Sequence, residues 1–412
     1  MIRLDRTLSD SRLSRLEFLY GGGTEGARSV LSTIAGSMIT ISGVVFSITI
    51  VALALASSQF GPRLLRSFIR DRGNQVVLGM FIATFLYCLL VLRVVVSPED
   101  GDRFVPHVAV TMGMVLAVGS ISVLIYFIHH IAVAIQADTV VATVGREFVE
   151  SVDRLFPSPA GEPTDSPHSE LPDHLGSEPA IIASVESGYV QVIDTDALVE
   201  IASNRDLLIE LQRRPGDFVI KGAAFARVWP GERVSEQVES QIRESTVLGP
   251  YRTQEQDVEF PVNQLAEIAV RALSPGINDP FTAMACVDRL GAGLCRLAER
   301  EFPPRVLKDS RGNARLVVDA PSFADVADTA FNQIRQHARA SAAVTIRLLE
   351  TIREIASFAR QEEQREALLR HADMVERGSR NGLSEENDRR AVAQAHREAI
   401  VALAPRRFLD EG

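Results

Sequence analysis

No charged side chain interrupts VLSTIAGSMITISGVVFSITIVALALA, the stretch at residues 30–56. A helix needs about 20 apolar residues to cross the hydrocarbon core of a membrane. Two further runs, residues 76–96 and 108–128, are also long enough, and the first of these is interrupted only by Arg93. The sequence therefore predicts an α-helical membrane region of three spans over residues 30–131, with the lipid bilayer as a partner.

The composition argues against several classes of function. The 412 residues carry a formal net charge of −10, which argues against nucleic acid as a partner because phosphate binding needs a basic face. The three cysteines and eight histidines show no metal-ligand spacing, so we expect no metal site and no cofactor. No nucleophile–base pair or phosphate-binding loop is recognisable after residue 232, and we therefore predict that the protein is not an enzyme.

The loop between the first two spans indicates the orientation in the membrane. Basic residues concentrate on the cytoplasmic side of short loops, and this loop carries Arg63, Arg66, Arg70 and Arg72. We therefore expect the loop in the cytoplasm of a bacterial cell, and the third span then delivers the soluble remainder to the same side of the inner membrane. Residues 1–29, an N-terminal polar segment, carry five arginines of their own and would lie outside, which conflicts with the same rule.

Three motifs together carry a resemblance to a known family. They are STIAGSMITISGVVFSITIVALALASSQFGPRLLRSFIRDRGNQ (32–75), IYFIHHIA (125–132) and ALSPGINDPFTA (272–283). Over nearly its whole length the chain resembles a bacterial family of predicted membrane proteins filed as domain of unknown function 2254. The resemblance implies a membrane location and supplies no biochemistry. Because members of that family usually have one more hydrophobic segment upstream, it also implies that residues 1–29 correspond to an external loop between two spans.

The first span carries a stripe of hydroxyl groups, which we call the hydroxyl face. At about 100° per residue, Ser29, Ser58 and the four residues of the hydroxyl face fall on one side of the helix, with Val44 and Val51 interleaved. The four are Thr33, Ser37, Thr40 and Ser47. One interpretation is a pore or solute path, because hydroxyls replace part of the hydration shell of an ion. The other is close helix packing through small residues whose hydroxyls bond back to carbonyls one turn earlier. Both predict a homo-oligomer, since three spans make a thin bundle.

The rest of the chain divides into four segments by composition. Residues 132–156 continue the third span as a helical extension with one apolar face. Residues 157–179 are acidic and proline-rich, as expected of a flexible linker. Residues 180–230 alternate as strands around turns and resemble the small barrel-like sandwich of biotinyl and lipoyl carriers, without their modified lysine. Residues 231–412 are mainly helical, so the predicted soluble part is an α+β domain.

A dense turn follows one of the predicted helices. Ser274 begins the turn residues that terminate that helix. Asn278 and Asp279 start the next helix, with Asp279 as its N-terminal cap. The alternative is that the polar groups of this turn bind a ligand or an ion, together with Arg252 and Asp257 upstream. Both interpretations remain open at the level of the sequence.

Two functional hypotheses follow. The first is a homo-oligomeric channel or transporter-like protein whose cytoplasmic domain gates a path for an ion or small solute. The alternative is a membrane-anchored regulatory or scaffold protein whose cytoplasmic domain binds a small ligand or a protein. The hydroxyl face favours the first hypothesis.

Overall fold

The computed structural model of the chain describes residues 21–61, 72–95, 105–157 and 178–404. The chain forms two compact units that meet between Thr139 and Val140. Most of the predicted linker lies outside the described residues, as does most of the N-terminal polar segment. Three of the four arginines that indicate the orientation, Arg63, Arg66 and Arg70, also lie outside the described residues, as does the side chain of Arg72.

Three helices of the first unit are long and apolar enough to span a membrane, among the residues that the structure describes. They are α1 (Thr24–Phe60), α2 (Arg72–Leu92) and α3 (His107–Ala134). The three predicted spans are therefore confirmed as helices, with different ends. The 37 residues of α1 extend about 55 Å at 1.5 Å per residue, which exceeds the hydrocarbon thickness. Helix α2 ends at Leu92, four residues before the predicted end.

Helix α1 packs on the other two spans through one face only. Its buried side chains recur every three or four residues, which keeps them on one side of the helix. Most are small or aliphatic: Ala27, Leu31, Ala35, Met38, Ser42, Val45, Ala52 and Ala56. Between α2 and α3, the hydroxyls of Thr84 and Ser120 lie 3.2 Å apart and share a buried hydrogen bond.

The third span does not continue as one helix, which corrects the prediction for residues 132–156. Helix α3 ends at Ala134, and α4 (Ala137–Leu155) begins after a break at Ile135 and Gln136. The break falls where a sequence that is apolar all round gives way to one with a single apolar stripe. That stripe was predicted correctly: Val141, Val144, Phe148 and Val152 are buried.

Within the part of the second unit that the structure describes, the strands form two small sheets. The larger has the strand order β1-β5-β3-β8-β7 and the smaller β4-β2-β6. Two helices accompany them, α5 (Thr195–Arg205) and α6 (Glu236–Glu244). The strands are β1 (Ala180–Ala183), β2 (Gly188–Ile193), β3 (Leu208–Leu211), β4 (Phe218–Val219), β5 (Ala224–Trp229), β6 (Thr246–Gly249), β7 (Val306–Lys308) and β8 (Ala314–Val317).

The sheets are not confined to residues 180–230, as the sequence had suggested. β6, β7 and β8 come from the region predicted to be mainly helical, and β8 pairs in parallel with β3 through Ile209 and Leu316. Both side chains are fully buried. The hairpin β7–β8 turns at Gly312, whose φ of 84° lies in the left-handed region. A strand drawn from a distant segment has no local signature, because its pairing partner is about 100 residues away.

Among the described residues of the second unit, six helices (α7 to α12) form a bundle whose two ends differ. Two contacts fix the relative direction of each helix pair. Asp288 pairs with Arg347 and Gly291 lies against Thr351, so α8 is parallel to α10. Asp328 pairs with His371 and Arg339 lies against Gly382, so α9 is parallel to α11. The turns 273–279, 339–341 and 383–385 therefore share one end of the bundle, which we call the turn end. The helices are α7 (Glu259–Ala272), α8 (Pro280–Ala298), α9 (Phe323–Ala338), α10 (Ala342–Ala356), α11 (Glu362–Gly382) and α12 (Glu386–Leu403).

Candidate functional site

The turn between α7 and α8 is closed by its own hydrogen bonds. The hydroxyl of Ser274 donates to the carbonyl of Arg271 at 2.7 Å. The backbone N–H of Asn278 donates to the carbonyl of Ser274 at 2.9 Å. Asn278 has a φ of 51°, a left-handed conformation that asparagine tolerates better than most residues. These groups hold the turn in shape.

Asp279 caps the N-terminus of α8, which confirms the prediction of a cap. Its carboxylate accepts hydrogen bonds from the backbone N–H groups of Phe281 and Thr282, both at 3.1 Å, and from the Thr282 hydroxyl at 2.6 Å. Pro280 occupies the first helical turn, where its missing N–H costs nothing. The hydrogen bond from the Thr282 side chain is the main cause of a lowered pKa for Asp279, and burial opposes it.

Replacing this cap is expected to have a moderate effect on stability. Asp279→Ala removes all three hydrogen bonds and should lower the free energy of unfolding by about 1 kcal/mol, whereas Asp279→Asn should cost much less. Thermal unfolding of the purified chain in detergent measures both. If Asp279→Asn abolished function at unchanged stability, the carboxylate would have a binding role beyond the cap.

Arg252 and Asp257 form the centre of a buried ion-pair cluster. Asp257 is only 4% exposed, and the Arg252 guanidinium reaches one of its oxygens through Nη2 at 2.7 Å and Nε at 2.8 Å. Beside it, Arg214 pairs with Glu259 at 2.8 Å. Burial raises the pKa of Asp257, and the charge of Arg252 opposes that rise. The cluster holds opposite charges together inside the unit.

The backbone of Gly216 lies directly against this ion pair. A Cβ atom on Gly216 would stand 2.4 Å from the Asp257 carboxylate, and its φ of 96° is left-handed. The sequence indicated turns between the strands of residues 180–230, but it did not indicate which residues contact Gly216. Arg214 and Glu259 were missed because they are 45 positions apart, and only the fold brings them together.

The structure does not join this cluster to the turn between α7 and α8. Asp257 precedes α7, whereas Ser274, Asn278 and Asp279 follow it. The 14 residues of α7 separate the two groups by about 20 Å at 1.5 Å per residue. The two halves of the predicted ligand site are therefore two separate features.

None of the described residues of the chain packs on the hydroxyl face of α1. Thr33, Ser37, Thr40 and Ser47 are all exposed there, whereas Ser42 on the opposite side is buried. The hydroxyl of Thr40 donates to the carbonyl of Gly36, and that of Ser47 to the carbonyl of Gly43, both at 2.9 Å. A Cβ atom on either glycine would meet nothing within 4 Å, so this side of the helix is open.

Helix α4 is clamped onto α8 by a contact that the sequence did not reveal. A Cβ atom on Gly293 would lie 2.0 Å from the ring of Phe148, so only glycine leaves room for that ring. Further along, Asp153 accepts hydrogen bonds from Arg296, at 2.7 Å, and from Arg300. The hydrogen bond from Arg296 is the main cause of the lowered pKa of Asp153. Phe148 is fully buried.

The β-rich part carries an open cavity of about 420 Å³. Its acidic lining residues are Asp194 and Glu244, beside the amide of Gln241 and the apolar side chains of Ile201 and Val247. Asp194 is already engaged, since it accepts a hydrogen bond from the backbone of Ala197 at 3.0 Å as the cap of α5. Glu244 also accepts a hydrogen bond, from the Ser240 hydroxyl at 2.9 Å. Sequence reasoning did not find this cavity.

Comparison with known proteins places the chain in a family. The family described as "Predicted membrane protein (DUF2254)" matches residues 1–354. The chain belongs to this family. Its relatives include an uncharacterized protein of Mycobacterium tuberculosis and one of Mycobacterium bovis. Each is 36% identical over 384 residues, which cover 92% of this chain and 73% of the relative. No solved structure matches the chain.

Two motifs that carry the resemblance have a structural explanation in this DUF2254 protein. The motif at residues 272–283 is the hydrogen-bonded turn and the Asp279 cap. The first part of the motif at residues 32–75 is the body of α1, with its packed face and its hydroxyl face. The apolar helices and the family together identify a membrane protein.

Proposed function

We propose that this DUF2254 protein is a homo-oligomeric channel or transporter-like protein of the bacterial inner membrane. In this proposal the hydroxyl faces of several α1 helices enclose a path for an ion or a small solute. The observation that carries it is the position of the hydroxyl face, directly opposite the face of α1 that packs on α2 and α3. Only 22% of the apolar window of α1 is buried inside the chain, which leaves this side for a neighbouring copy.

The hydrogen bonds of the hydroxyl face favour a cation over an anion. A hydroxyl group has one hydrogen to donate and two lone pairs to accept with. Thr40 and Ser47 already donate their hydrogens to backbone carbonyls. What they offer to a path is therefore oxygen lone pairs, which replace water around a cation.

The glycines beside the hydroxyl face suit contact between copies. At 100° per residue, Gly36 and Gly43 lie roughly 60° to 80° to one side of Thr33. Small residues at such positions let two membrane helices approach closely. In a ring of copies, the glycine side would contact the neighbouring helix while the hydroxyl face points to the centre.

The soluble unit would act on the path from the cytoplasm. The arginines at positions 63, 66, 70 and 72 support that orientation. Only two residues separate α3 from α4, and α4 is held on α8 by Phe148 and Asp153. A change in the bundle would therefore be passed to the third span through a stiff helix and a short connection.

Leucine substitutions test whether copies meet at the glycine side of α1. Gly36→Leu and Gly43→Leu add side chains where the single chain has open space, so folding of one copy should be preserved. We expect the purified complex to contain fewer copies of the chain, as measured by its mass in detergent. The matched control is Gly79→Leu on α2, where a Cβ atom also meets nothing within 4 Å. A wild-type chain that is monomeric at micromolar concentration would exclude the proposal.

A membrane-anchored regulator is the second candidate, and the cavity beside Asp194 and Glu244 favours it. In that case the spans only anchor and assemble the protein, and the acidic cavity binds a small ligand. The hydroxyl face would then be a dry contact between helices. The two candidates therefore differ in whether water reaches Thr40 and Ser47.

A further inference from the structure

The turn end of the helical bundle exposes two large apolar side chains. Phe281 is 77% exposed and Ile277 is 44% exposed, although both belong to the hydrogen-bonded turn that precedes and opens α8. The turn geometry requires neither of them, because the capping bonds use the Asp279 carboxylate and backbone groups. Adjacent exposed apolar side chains on a rigid turn are a candidate contact surface for a membrane or another protein.

The direction of α4 shows which end of the bundle is connected to the membrane helix α3. Gly145 lies against Arg289, and Phe148 lies against Gly293. Asp153 pairs with Arg296, so positions rise together and α4 runs parallel to α8. The start of α4 is therefore at the turn end, beside the start of α8.

The covalent connection limits how far this end can lie from the last residue of the third span. Helix α3 ends at Ala134, and the second unit begins at Val140. Six residues span at most about 20 Å when fully extended. The turn end is thus the end of the bundle that the chain ties to the end of a membrane span.

Basic side chains lie on the neighbouring turns at the same end. Arg339 is exposed at the turn between α9 and α10. Arg380 is exposed in the last turn of α11, where its Nε also pairs with Glu376. These two turns touch, since a Cβ atom on Gly382 would meet the carbonyl of Arg339. Arginine near an apolar tip is typical of protein surfaces that rest on anionic headgroups.

We propose that the turn at residues 274–281 is a membrane-surface anchor that inserts Ile277 and Phe281 into the boundary between headgroups and acyl chains. The occupant is the lipid bilayer itself, and the arginines at the turn end face its anionic headgroups. The anchor fixes the soluble unit on the membrane at a second point besides the chain connection. This inference does not depend on a path through the spans.

Tryptophan fluorescence in lipid vesicles tests the anchor in the full chain. Trp229 is the single tryptophan of the protein, so Trp229→Phe gives a silent background for Phe281→Trp. The chain is reconstituted in phosphatidylcholine–phosphatidylglycerol vesicles with or without brominated acyl chains. Because such anchors reach roughly 5–10 Å into the boundary, bromination should reduce the emission by about twofold. Ile277→Trp, in the same background, should behave alike and guards against one variant failing to fold.

The matched control is Phe358→Trp, at the opposite end of the bundle. Phe358 follows α10 and is 41% exposed, and its emission should not change on bromination. Equal quenching at 281 and 358 would overturn the anchor, and so would no quenching at either 281 or 277. A blue-shifted but unquenched Phe281→Trp variant would show that protein covers the tip, which also contradicts the proposal.

Discussion

Gly293→Val is expected to destabilise the second unit severely. Even an alanine Cβ would lie 2.0 Å from the Phe148 ring, and valine adds two methyl groups in the same place. Overpacking a rigid core costs about 1–3 kcal/mol and sometimes more, so the free energy of unfolding should fall by about 3 kcal/mol or more. Thermal unfolding of the full chain in detergent measures the loss.

A second glycine and a second-site change make this prediction specific. Gly378 lies within α11, where a Cβ atom meets nothing within 4 Å, so Gly378→Val should leave stability nearly unchanged. Adding Phe148→Ala to Gly293→Val removes the clashing ring and should restore part of the lost stability. If Gly293→Val were as stable as Gly378→Val, the clamp between α4 and α8 would not exist as described.

Arg252→Met is expected to have an effect of similar size, because it leaves the Asp257 carboxylate buried without its ion-pair partner. Breaking a buried ion pair on one side costs about 3–5 kcal/mol. The comparison is Arg233→Met, which breaks a pair with Asp206 in which both side chains are largely exposed. That substitution should change the stability little.

The pH dependence of the Arg252→Met protein follows from the sign of the pKa shift. Burial already raises the pKa of Asp257, and Arg252 opposes this rise. Without Arg252 the pKa of the folded state rises further above that of the unfolded chain. A carboxyl group with a raised folded pKa destabilises the fold as the pH rises through that interval. The lost stability should therefore return in part as the pH falls and Asp257 takes up a proton.

The double variant Arg252→Met, Asp257→Leu separates the buried charge from simple loss of contacts. Replacing both partners by apolar side chains removes the uncompensated charge and is often nearly neutral. We expect the double variant to be more stable than Arg252→Met alone at neutral pH. A double variant that is less stable, with no recovery of the single variant on acidification, would contradict the role given to this pair.

Local sequence patterns were sufficient for the membrane helices and the cap. The spans could be recognised because lipid demands a long run of apolar residues, and such a run carries its own signal. Asp279 could be recognised as a cap because Asp followed by proline satisfies the first turn of a helix in place. The helix end points were less accurate. The second span was predicted to include Arg93 and Val94 because the apolar run continues past Leu92, but both residues lie in a turn after α2.

Contacts between distant segments could not be predicted. Gly293 and Phe148 are 145 positions apart, and nothing in either segment indicates that the glycine makes room for a ring. The strands β7 and β8 have three and four residues, too few for alternation to be recognised within a helical region. The same reason explains why Arg252 and Asp257 were grouped with a turn that lies at the other end of α7.

Accessibility of single cysteines on α1 tests most directly whether the hydroxyl face lines a polar path. The background is the full chain with its three native cysteines changed to alanine. In this background a cysteine replaces Thr33, Ser37, Thr40 or Ser47, one at a time. Membranes that contain each variant are then treated with a charged, water-soluble thiol reagent. Ser42→Cys is the control inside the chain, and Phe46→Cys, at a side chain 56% exposed, is the control for the lipid-facing side. We expect reaction at the four hydroxyl positions and protection at both controls, because the reagent needs water. Protection at all six positions would contradict the path and would leave the membrane-anchored regulator as the function of this protein.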